Sequence, residues 1–403
     1  MYVSSTRSAV DTLLDSDRLS ELVGAPVRAA RLRIKPGVSV TASLLQADTD
    51  TSAGWVRLLW PVSRVKATKA ARRAERLGLR TSQRDTGDGL LAQFGEVATD
   101  PALVRHVAAA RERGLLDGLE GNLLRYNPLR RLVVRTPAGV VRVTAGSQRH
   151  AAAVQAFAAR YVPVPPARPV PPGTDAAHVS LQGFVGDGDL ERWPEPAATA
   201  RAGAALAALH ARTADLPESL RADLDDAEPA AGEIAAVHTR TLTHLDPALA
   251  ARVHRLGQAL DAAIAAAPEP GPPVLVHGDA SPDQVLLERT SGQIWLTDFD
   301  RARLAPAVVD LGSYLAVAPA DAAPALLAGY AQAGGRVPAE EVLRCAVARA
   351  RLERIQDPLR HGDPQWRRRL GAEADHIERL LAALAGPARR GGADVTEWMR
   401  EAS

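Results

Sequence analysis

Three short apolar runs separated by polar turns stand out in the second half of the chain. They cover residues 274–276, 285–287 and 294–296, and the last follows a Ser-Gly turn. Short apolar runs bounded by turn residues are typical of buried β-strands. The pattern therefore predicts three strands whose ends bring Asp279, Gln284 and Asp298 close together.

Two similar groups of apolar runs lie nearer the N-terminus. The first group comprises runs at 27–34, 38–45 and 55–60, and the second comprises runs at 123–126, 131–135 and 140–144. Segment 33–36 (Arg-Ile-Lys-Pro) matches 125–128 (Arg-Tyr-Asn-Pro), and both groups precede a predicted helix. The similarity is compatible with a remote internal duplication. Chance likeness between two hairpins is the alternative.

Most of the remaining sequence has helical periodicity. Predicted helices cover residues 8–24, 64–77, 101–114, 147–161, 197–213, 231–241, 247–266, 310–317, 321–333, 338–356 and 371–385. The Pro-rich stretch 162–172 is too dense in proline for a helix or a central strand, so it predicts an extended connector. A strand at 178–184 follows it.

Composition narrows the function classes. The chain has 403 residues, with 49 basic and 47 acidic side chains, so its charge gives no support for nucleic acid as a partner. The single cysteine, Cys345, excludes intrachain disulfides and a cysteine-based metal site. No signal peptide or membrane-spanning apolar stretch is visible, which predicts a soluble cytoplasmic protein.

The polar residues at the strand ends suit phosphoryl transfer. His277-Gly278-Asp279 is followed by the amide of Gln284, and Asp298-Phe299-Asp300 comes after the next apolar run. The reaction needs a carboxylate that orients or deprotonates a hydroxyl, and oxygen ligands for Mg²⁺. Asp279 fits the first role, whereas Gln284 and Asp298 fit the second. The alternative is a structural loop whose His and Asp cap turns.

At these residues the chain resembles the aminoglycoside phosphotransferase and choline kinase family. The resemblance implies Asp279 as catalytic base, Gln284 and Asp298 as Mg²⁺ ligands, and Asp300 as a second ligand or loop anchor. The family has Asn at the position of Gln284; bacterial maltokinases resemble the chain more closely because they carry Gln there. Asp310 matches an Asp that braces the catalytic loop.

The resemblance also implies an α+β, protein-kinase-like fold of two lobes with an N-terminal cap. We expect a cap at 1–118 that is a possible degenerate copy of the small lobe, a small β-rich lobe at 119–187, and a helical lobe at 188–403. The strand at 178–184 would lead into the hinge, where the backbone near Gln182 and Phe184 would bind the adenine of ATP. A surface turn at 186–189 is the alternative.

Two departures from the family weaken the nucleotide site. The expected phosphate-binding Lys is Arg142, and the helix predicted at 147–161 contains no acidic partner for it. Arg can bind phosphate but does not simply replace Lys; Arg130 or Arg131 could contribute instead. An active ATP- and Mg²⁺-dependent small-molecule kinase is therefore the first hypothesis, and a non-catalytic kinase-like binding module the second.

The sequence leaves three classes of phosphate acceptor open. A sugar is favoured by the cap and Gln284. An aminoglycoside or amino alcohol is supported by the acidic residues at 223–228, although an acidic turn before a helix is more often solvated. A peptide hydroxyl in a natural-product pathway is the third class.

Overall fold

Two five-stranded antiparallel sheets form the N-terminal half of the chain. In this computed structural model, the described residues are 5–49, 51–119, 122–224 and 228–385. The first sheet has the strand order β1-β2-β3-β5-β4. Its module consists of α1 (Thr6–Leu14), α2 (Ser16–Val23), β1 (Val27–Lys35), β2 (Ser39–Gln46), β3 (Ser52–Leu59), α3 (Arg64–Glu75), β4 (Ser82–Asp85), β5 (Leu91–Gly95) and α4 (Val104–Glu112).

The sequence predicted one helix near the N-terminus, and the structure has two. The single helix expected over 8–24 is interrupted at Asp15, whose backbone is extended. The Asp15 side chain accepts hydrogen bonds from the backbone N–H groups of Asp17 and Arg18, and so caps α2. The apolar periodicity continued across this break and concealed it.

The second sheet repeats the order of the first. Its strands follow the order β6-β7-β8-β10-β9, with a helix after the third strand, as in the first sheet. The β-rich lobe consists of β6 (Leu123–Asn127), β7 (Arg131–Thr136), β8 (Gly139–Thr144), α5 (Arg149–Ala158), β9 (Ala167–Arg168) and β10 (Val179–Gln182). Strand β9 lies at the sheet edge, within the stretch predicted as an extended connector.

Equivalent glycines mark the third strand of both sheets. Gly54 has φ 137° and Gly139 has φ 136°. A Cβ atom on Gly54 would lie 2.2 Å from the carbonyl oxygen of Gly95, and one on Gly139 would lie 2.1 Å from that of Gln182. The third strand of each sheet therefore approaches its neighbour, β5 or β10, so closely that only glycine fits.

The rest of the described chain is a mainly helical lobe. Its strands form a three-stranded sheet, β11-β13-β14, and a two-stranded pair, β12-β15. The helical lobe consists of β11 (Gly188–Asp189), α6 (Pro196–Ala211), α7 (Glu218–Asp223), α8 (Ala231–Leu242), α9 (Pro247–Ala266), β12 (Pro273–Val276), β13 (Val285–Glu288), β14 (Gln293–Leu296), β15 (Arg303–Pro306), α10 (Val308–Leu315), α11 (Ala323–Gln332), α12 (Glu340–Arg354), α13 (Asp357–Arg360) and α14 (Trp366–Ala385). Among the described residues, no helix combines the length and apolarity that crossing a membrane requires.

The hydrophobic core joins the N-terminal module to both lobes. One buried cluster runs from Leu13 and Val56 in the module to Leu311 in the helical lobe. A second cluster joins Trp55 of the module to the β-rich lobe, where Leu132 is fully buried. The fold is thus α+β and two-lobed, as predicted, with the extra module packed against both lobes.

We expect Gly139→Ala to lower the free energy of unfolding by about 3 kcal/mol, because a Cβ atom would collide with the Gln182 carbonyl and φ is unfavourable for alanine. Urea denaturation followed by circular dichroism measures the change. Gly146→Ala is the matched control, since a Cβ atom there meets no atom within 4 Å. Equal stability of the two variants would contradict the proposed close contact.

Candidate active site

The loop after β12 and the turn after β14 meet at the predicted site. The backbone N–H of Thr297 donates to the carbonyl oxygen of Gln284 at 3.0 Å, and β13 pairs with β14 beside it. Asp298 follows Thr297 with φ 67°, a left-handed conformation that turns the chain sharply. The structure therefore brings the Gln284 and Asp298 segments together, as the strand pattern predicted.

Asp310 braces the catalytic loop from inside the helical lobe. Its carboxylate is fully buried and accepts hydrogen bonds from the backbone N–H groups of His277 at 2.7 Å and Gly278 at 2.8 Å. The ring of His210 lies 3.0 Å away. Burial favours the neutral acid, but the hydrogen bond and charge of His210, with the contribution of His277, hold the Asp310 pKa below its usual value. The brace implied by the family resemblance is present, and His210 is structural.

His277 stabilises the turn and does not face the cleft. It is 1% exposed, and its Nε2 lies 2.8 Å from the carbonyl oxygen of Thr297. Its ring packs on Phe299, with centroids 4.8 Å apart. In the His-Gly-Asp sequence, the histidine thus ties the loop to the Asp298 turn.

Two arginines of the β-rich lobe hold two aspartates of the helical lobe. Arg131 Nη1 lies 2.7 Å from one oxygen of Asp298, and Arg142 Nη1 lies 3.3 Å from the other. Arg142 also pairs with Asp300, and Arg131 lies 3.4 Å from Asp300. Burial opposes ionisation of Asp298, but Arg131 and Arg142 outweigh it and lower the pKa to about 2. We call these four side chains the arginine–aspartate clamp.

The clamp explains how Arg142 is positioned without an acidic residue on α5. Its anionic partners come from across the cleft, 156 residues away for Asp298. Helix α5 instead presents Gln155, which donates to the carbonyl oxygen of Pro165 at 3.0 Å and accepts from the Gln182 amide at 2.8 Å. The lysine–glutamate pair expected of a kinase is thus replaced by a pair between lobes.

The N-terminal module positions the turn that carries Arg131. Buried Asp100 accepts from the Tyr126 hydroxyl and from the backbone N–H of Leu129, both at 2.8 Å. Leu129 has φ 62°, which is costly for a branched side chain, so this turn needs outside support. Burial raises the Asp100 pKa, although these hydrogen bonds oppose the rise. No local pattern in the sequence indicated this support.

The carboxylate of Asp279 contacts two other arginines. Arg354 Nη2 on α12 donates to Asp279 Oδ1 at 2.8 Å and to Ser313 Oγ at 3.0 Å. Arg301 Nη1 lies 3.5 Å from the same carboxylate oxygen. The Asp279 side chain is 29% exposed, so it is held in place but remains accessible. Sequence reasoning missed Arg354, because it is 75 residues away and belongs to an ordinary helical pattern.

The predicted metal ligands have suitable chemistry but are already paired. Asp298 and Asp300 offer carboxylate oxygens and Gln284 an amide, the donors that Mg²⁺ prefers. The Gln284 amide nitrogen donates to Asp283 at 2.7 Å, which leaves its oxygen as the potential ligand. Within the described ranges, no three His, Cys, Asp or Glu side chains form a metal-holding group. The set fits Mg²⁺ provided that the clamp arginines release the carboxylates.

The predicted hinge lies at one end of the β-rich sheet. Gln182 pairs with Val140, and the Gly183 N–H donates to the carbonyl oxygen of Pro166 at 2.8 Å. Phe184 is 42% exposed, and the Arg135 guanidinium lies 3.9 Å from its ring centre. These two side chains line a polar pocket of about 390 Å³.

We expect Asp310→Asn to lower the free energy of unfolding at neutral pH by about 3 kcal/mol, since it removes a buried charge that accepts two backbone N–H groups. The lowered Asp310 pKa means that this stabilisation is present above about pH 4 and is lost as the pH falls through the folded-state pKa.

The measurement is urea denaturation of wild type and variant at several pH values. Asp321→Asn is the control, because it makes the same charge change at an exposed residue. A difference from wild type that is equally small for both variants would contradict the bracing role.

The chain is similar to known proteins in its overall fold and in its sequence profile. Similar solved structures include a choline/ethanolamine kinase family protein from Mesorhizobium loti, with 20% identity, a TM-score of 0.50, and coverage of 70% of this chain and 98% of that one. Another is macrolide 2'-phosphotransferase MphH from Brachybacterium faecium, with 22% identity, a TM-score of 0.40, and coverage of 72% and 99%. No curated protein sequence matches the chain. The profile of the phosphotransferase enzyme family matches residues 113–344, and the chain belongs to this family.

Proposed function

We propose that the protein is an ATP-dependent phosphotransferase that acts on a hydroxyl group of a small molecule. The observation that carries the proposal is that Arg301, which directly follows Asp300 of the arginine–aspartate clamp, lies 3.5 Å from the Asp279 carboxylate, so that the Asp279 loop and the clamp turn are neighbours. Membership of the phosphotransferase enzyme family supports it. Solved structures of similar proteins contain nucleotides, including a GDP complex of aminoglycoside 2'-phosphotransferase-IIIa.

The β-rich lobe would bind the nucleotide. Arg131 and Arg142 are cationic, partly buried and directed into the cleft, which suits contact with phosphate oxygens. Gln182 and Phe184 would place the base, as expected from the hinge. Within the described residues, the backbone of Phe184 makes no hydrogen bond, so its N–H and C=O groups are available to adenine.

The helical lobe would hold the metal and the acceptor. Asp298 and Gln284 would bind Mg²⁺, with Asp300 as a further ligand; when bound, the metal neutralises charge on the phosphates. Asp279 would orient the acceptor hydroxyl and take its proton. Arg354 keeps the Asp279 carboxylate in one orientation through its 2.8 Å hydrogen bond.

The clamp also favours a second candidate function. Because both oxygens of Asp298 already contact guanidinium groups, the charges of the metal site are balanced without metal. A binding module without turnover would keep this arrangement permanently. Release of the clamp by ATP and Mg²⁺ distinguishes an active kinase from such a module.

We also propose the domain division expected from the sequence: a cap at 1–118, a β-rich lobe at 119–187 and a helical lobe at 188–403. Equal strand order and the glycine pair Gly54 and Gly139 support descent of the cap from a copy of the β-rich lobe. Arg57 stands three residues after Gly54, as Arg142 does after Gly139.

Arg57 no longer faces a phosphate site. It donates to the Gln93 amide oxygen at 2.9 Å and to the carbonyl oxygen of Lys66 at 3.0 Å, and is buried. Burial lowers its pKa to about 10, although Asp100 opposes this. In the proposed copy, the cationic residue therefore stabilises the cap interior, whereas its counterpart Arg142 would contact the nucleotide.

We expect Asp298→Asn to bind ATP about tenfold more tightly than wild type without metal, because it removes a negative charge that occupies Arg131 and Arg142. Mg²⁺ should then add no affinity, whereas it should strengthen binding to wild type. Isothermal titration calorimetry with and without EDTA makes the measurement. Asp85→Asn removes an exposed carboxylate 3.5 Å from Arg64, in the cap, and serves as control. Unchanged metal-free affinity in Asp298→Asn would oppose the clamp as the nucleotide phosphate site.

We expect Asp279→Asn to reduce phosphoryl transfer at least about 100-fold, because the variant cannot accept the hydroxyl proton. Transfer of labelled phosphate from ATP to a panel of alcohols, sugars and aminoglycosides is measured alongside nucleotide affinity, which should be unchanged. Asp321→Asn, an exposed substitution, should behave as wild type. Near-normal transfer by Asp279→Asn would exclude it as the base.

A further inference from the structure

A pocket opens beside the catalytic loop, between α10, α12 and the end of α9. Its cavity volume is about 100 Å³, and Gly278 and Ser313 lie in its wall. Ser313 Oγ accepts at 3.0 Å from Arg354 Nη2, the nitrogen that also donates to Asp279. Asp279 itself is not a wall residue, but Gly278 directly precedes it, so the wall ends one residue from the carboxylate proposed to accept the hydroxyl proton.

Most of the pocket wall is apolar. One face of α12 supplies Val342, Cys345, Ala346 and Ala350, which recur at helical spacing. Burial raises the pKa of the Cys345 thiol to about 11, so it is neutral at physiological pH. The wall therefore offers few groups that could hydrogen-bond the many hydroxyls of a sugar.

The carboxylates in the wall are matched by guanidinium groups in the wall and beside it. Arg349 Nε, in the wall, lies 3.1 Å from Glu228 and 3.4 Å from Glu353. Arg303 is not a wall residue, but its Nη2 lies 3.9 Å from the same oxygen of Glu228. With Arg303 counted, two carboxylates face two guanidinium groups, and little negative charge is left to attract a polycation.

This balance bears on the aminoglycoside hypothesis. Of the acidic residues that supported it, Asp223 is exposed at the end of α7, and Asp225 and Asp226 lie outside the described residues. Glu228 lines the pocket, but its charge is matched by Arg349. Among the described residues of the cluster, Glu228 alone reaches the pocket, and it does so as half of an ion pair.

We propose that the acceptor is an uncharged alcohol with an apolar body, which packs between Val342 and Ile264 while its hydroxyl points to Asp279. The proposal rests on the proposed phosphotransferase function and names the substrate class of that same site. Burial of apolar surface provides the affinity, and Asp279 provides the orientation. Polycationic aminoglycosides and sugars fit this pocket less well.

Binding of 1-hexanol, 1-octanol and 1-decanol to the full chain tests the pocket without turnover. We expect the affinity to rise about fourfold per added methylene, which is the increment for apolar burial. Ile264→Asp should abolish this rise, because Ile264 lines the pocket at 38% exposure and its replacement should leave the fold intact. Val237→Asp is the matched control, at 50% exposure outside the pocket. Affinity independent of chain length, or equal loss in both variants, overturns the proposal.

Turnover separates this proposal from the proposed function. Phosphate transfer from ATP to the alkanols, greater than to kanamycin or maltose, supports both. Transfer to kanamycin or maltose alone overturns the apolar class and leaves phosphotransfer standing. No transfer to any acceptor, with chain-length-dependent binding that Ile264→Asp abolishes, contradicts phosphotransfer and still supports an apolar ligand in the pocket.

Discussion

The ion pairs that cross the cleft are the interaction on which the candidate site depends. Arg131 and Arg142 come from neighbouring strands of one lobe, whereas Asp298 and Asp300 come from one turn of the other. Breaking a partly buried pair by removing one partner is costly, because the remaining charge is left without compensation. The same contacts therefore keep the lobes in register and balance the charge of the cleft. In the proposed function, a phosphate chain would enter by taking over the arginines, and a metal by taking over the aspartates.

This exchange requires a rigid support behind it. Asp310 provides that support, since it is fully buried and its partners include two backbone N–H groups, which cannot rotate away. Asp300, by contrast, is 37% exposed, so solvent can replace its arginine at low cost. Asp100 plays the corresponding part for the opposite lobe by holding the turn before Arg131. The site thus combines backbone segments held by buried carboxylates with side-chain ion pairs whose partners can be replaced.

The sequence predicted the parts of the site that depend on local order. Short apolar runs fixed the strand ends, and so the proximity of the Gln284 and Asp298 segments follows from spacing alone. The repeated hairpin segments were likewise compatible with two similar sheets. Contacts between distant elements were not predictable: Arg354 reaches Asp279 across 75 residues, and Arg142 has its partners 156 and 158 residues away. The sequence showed that α5 has no acidic partner for Arg142, but it could not show which residues take the place of that partner. The acidic cluster shows the same limit, since the sequence does not reveal that Glu228 lies 3.1 Å from Arg349 of α12.

Asp279 lies at the boundary between two different environments. On one side, the clamp holds arginines and aspartates that, in the proposed function, would exchange each other for the phosphates of a nucleotide and for a metal. On the other, the pocket at α12 is largely apolar and its charges are balanced. Phosphoryl transfer benefits from this division, because strong electrostatic contacts are needed only at the phosphates. In the proposed function, apolar surface at the acceptor would limit the water near the reacting hydroxyl and so limit hydrolysis of ATP. A charged acceptor would disturb this separation, since the charges at the pocket are already paired with one another and none is left to match it.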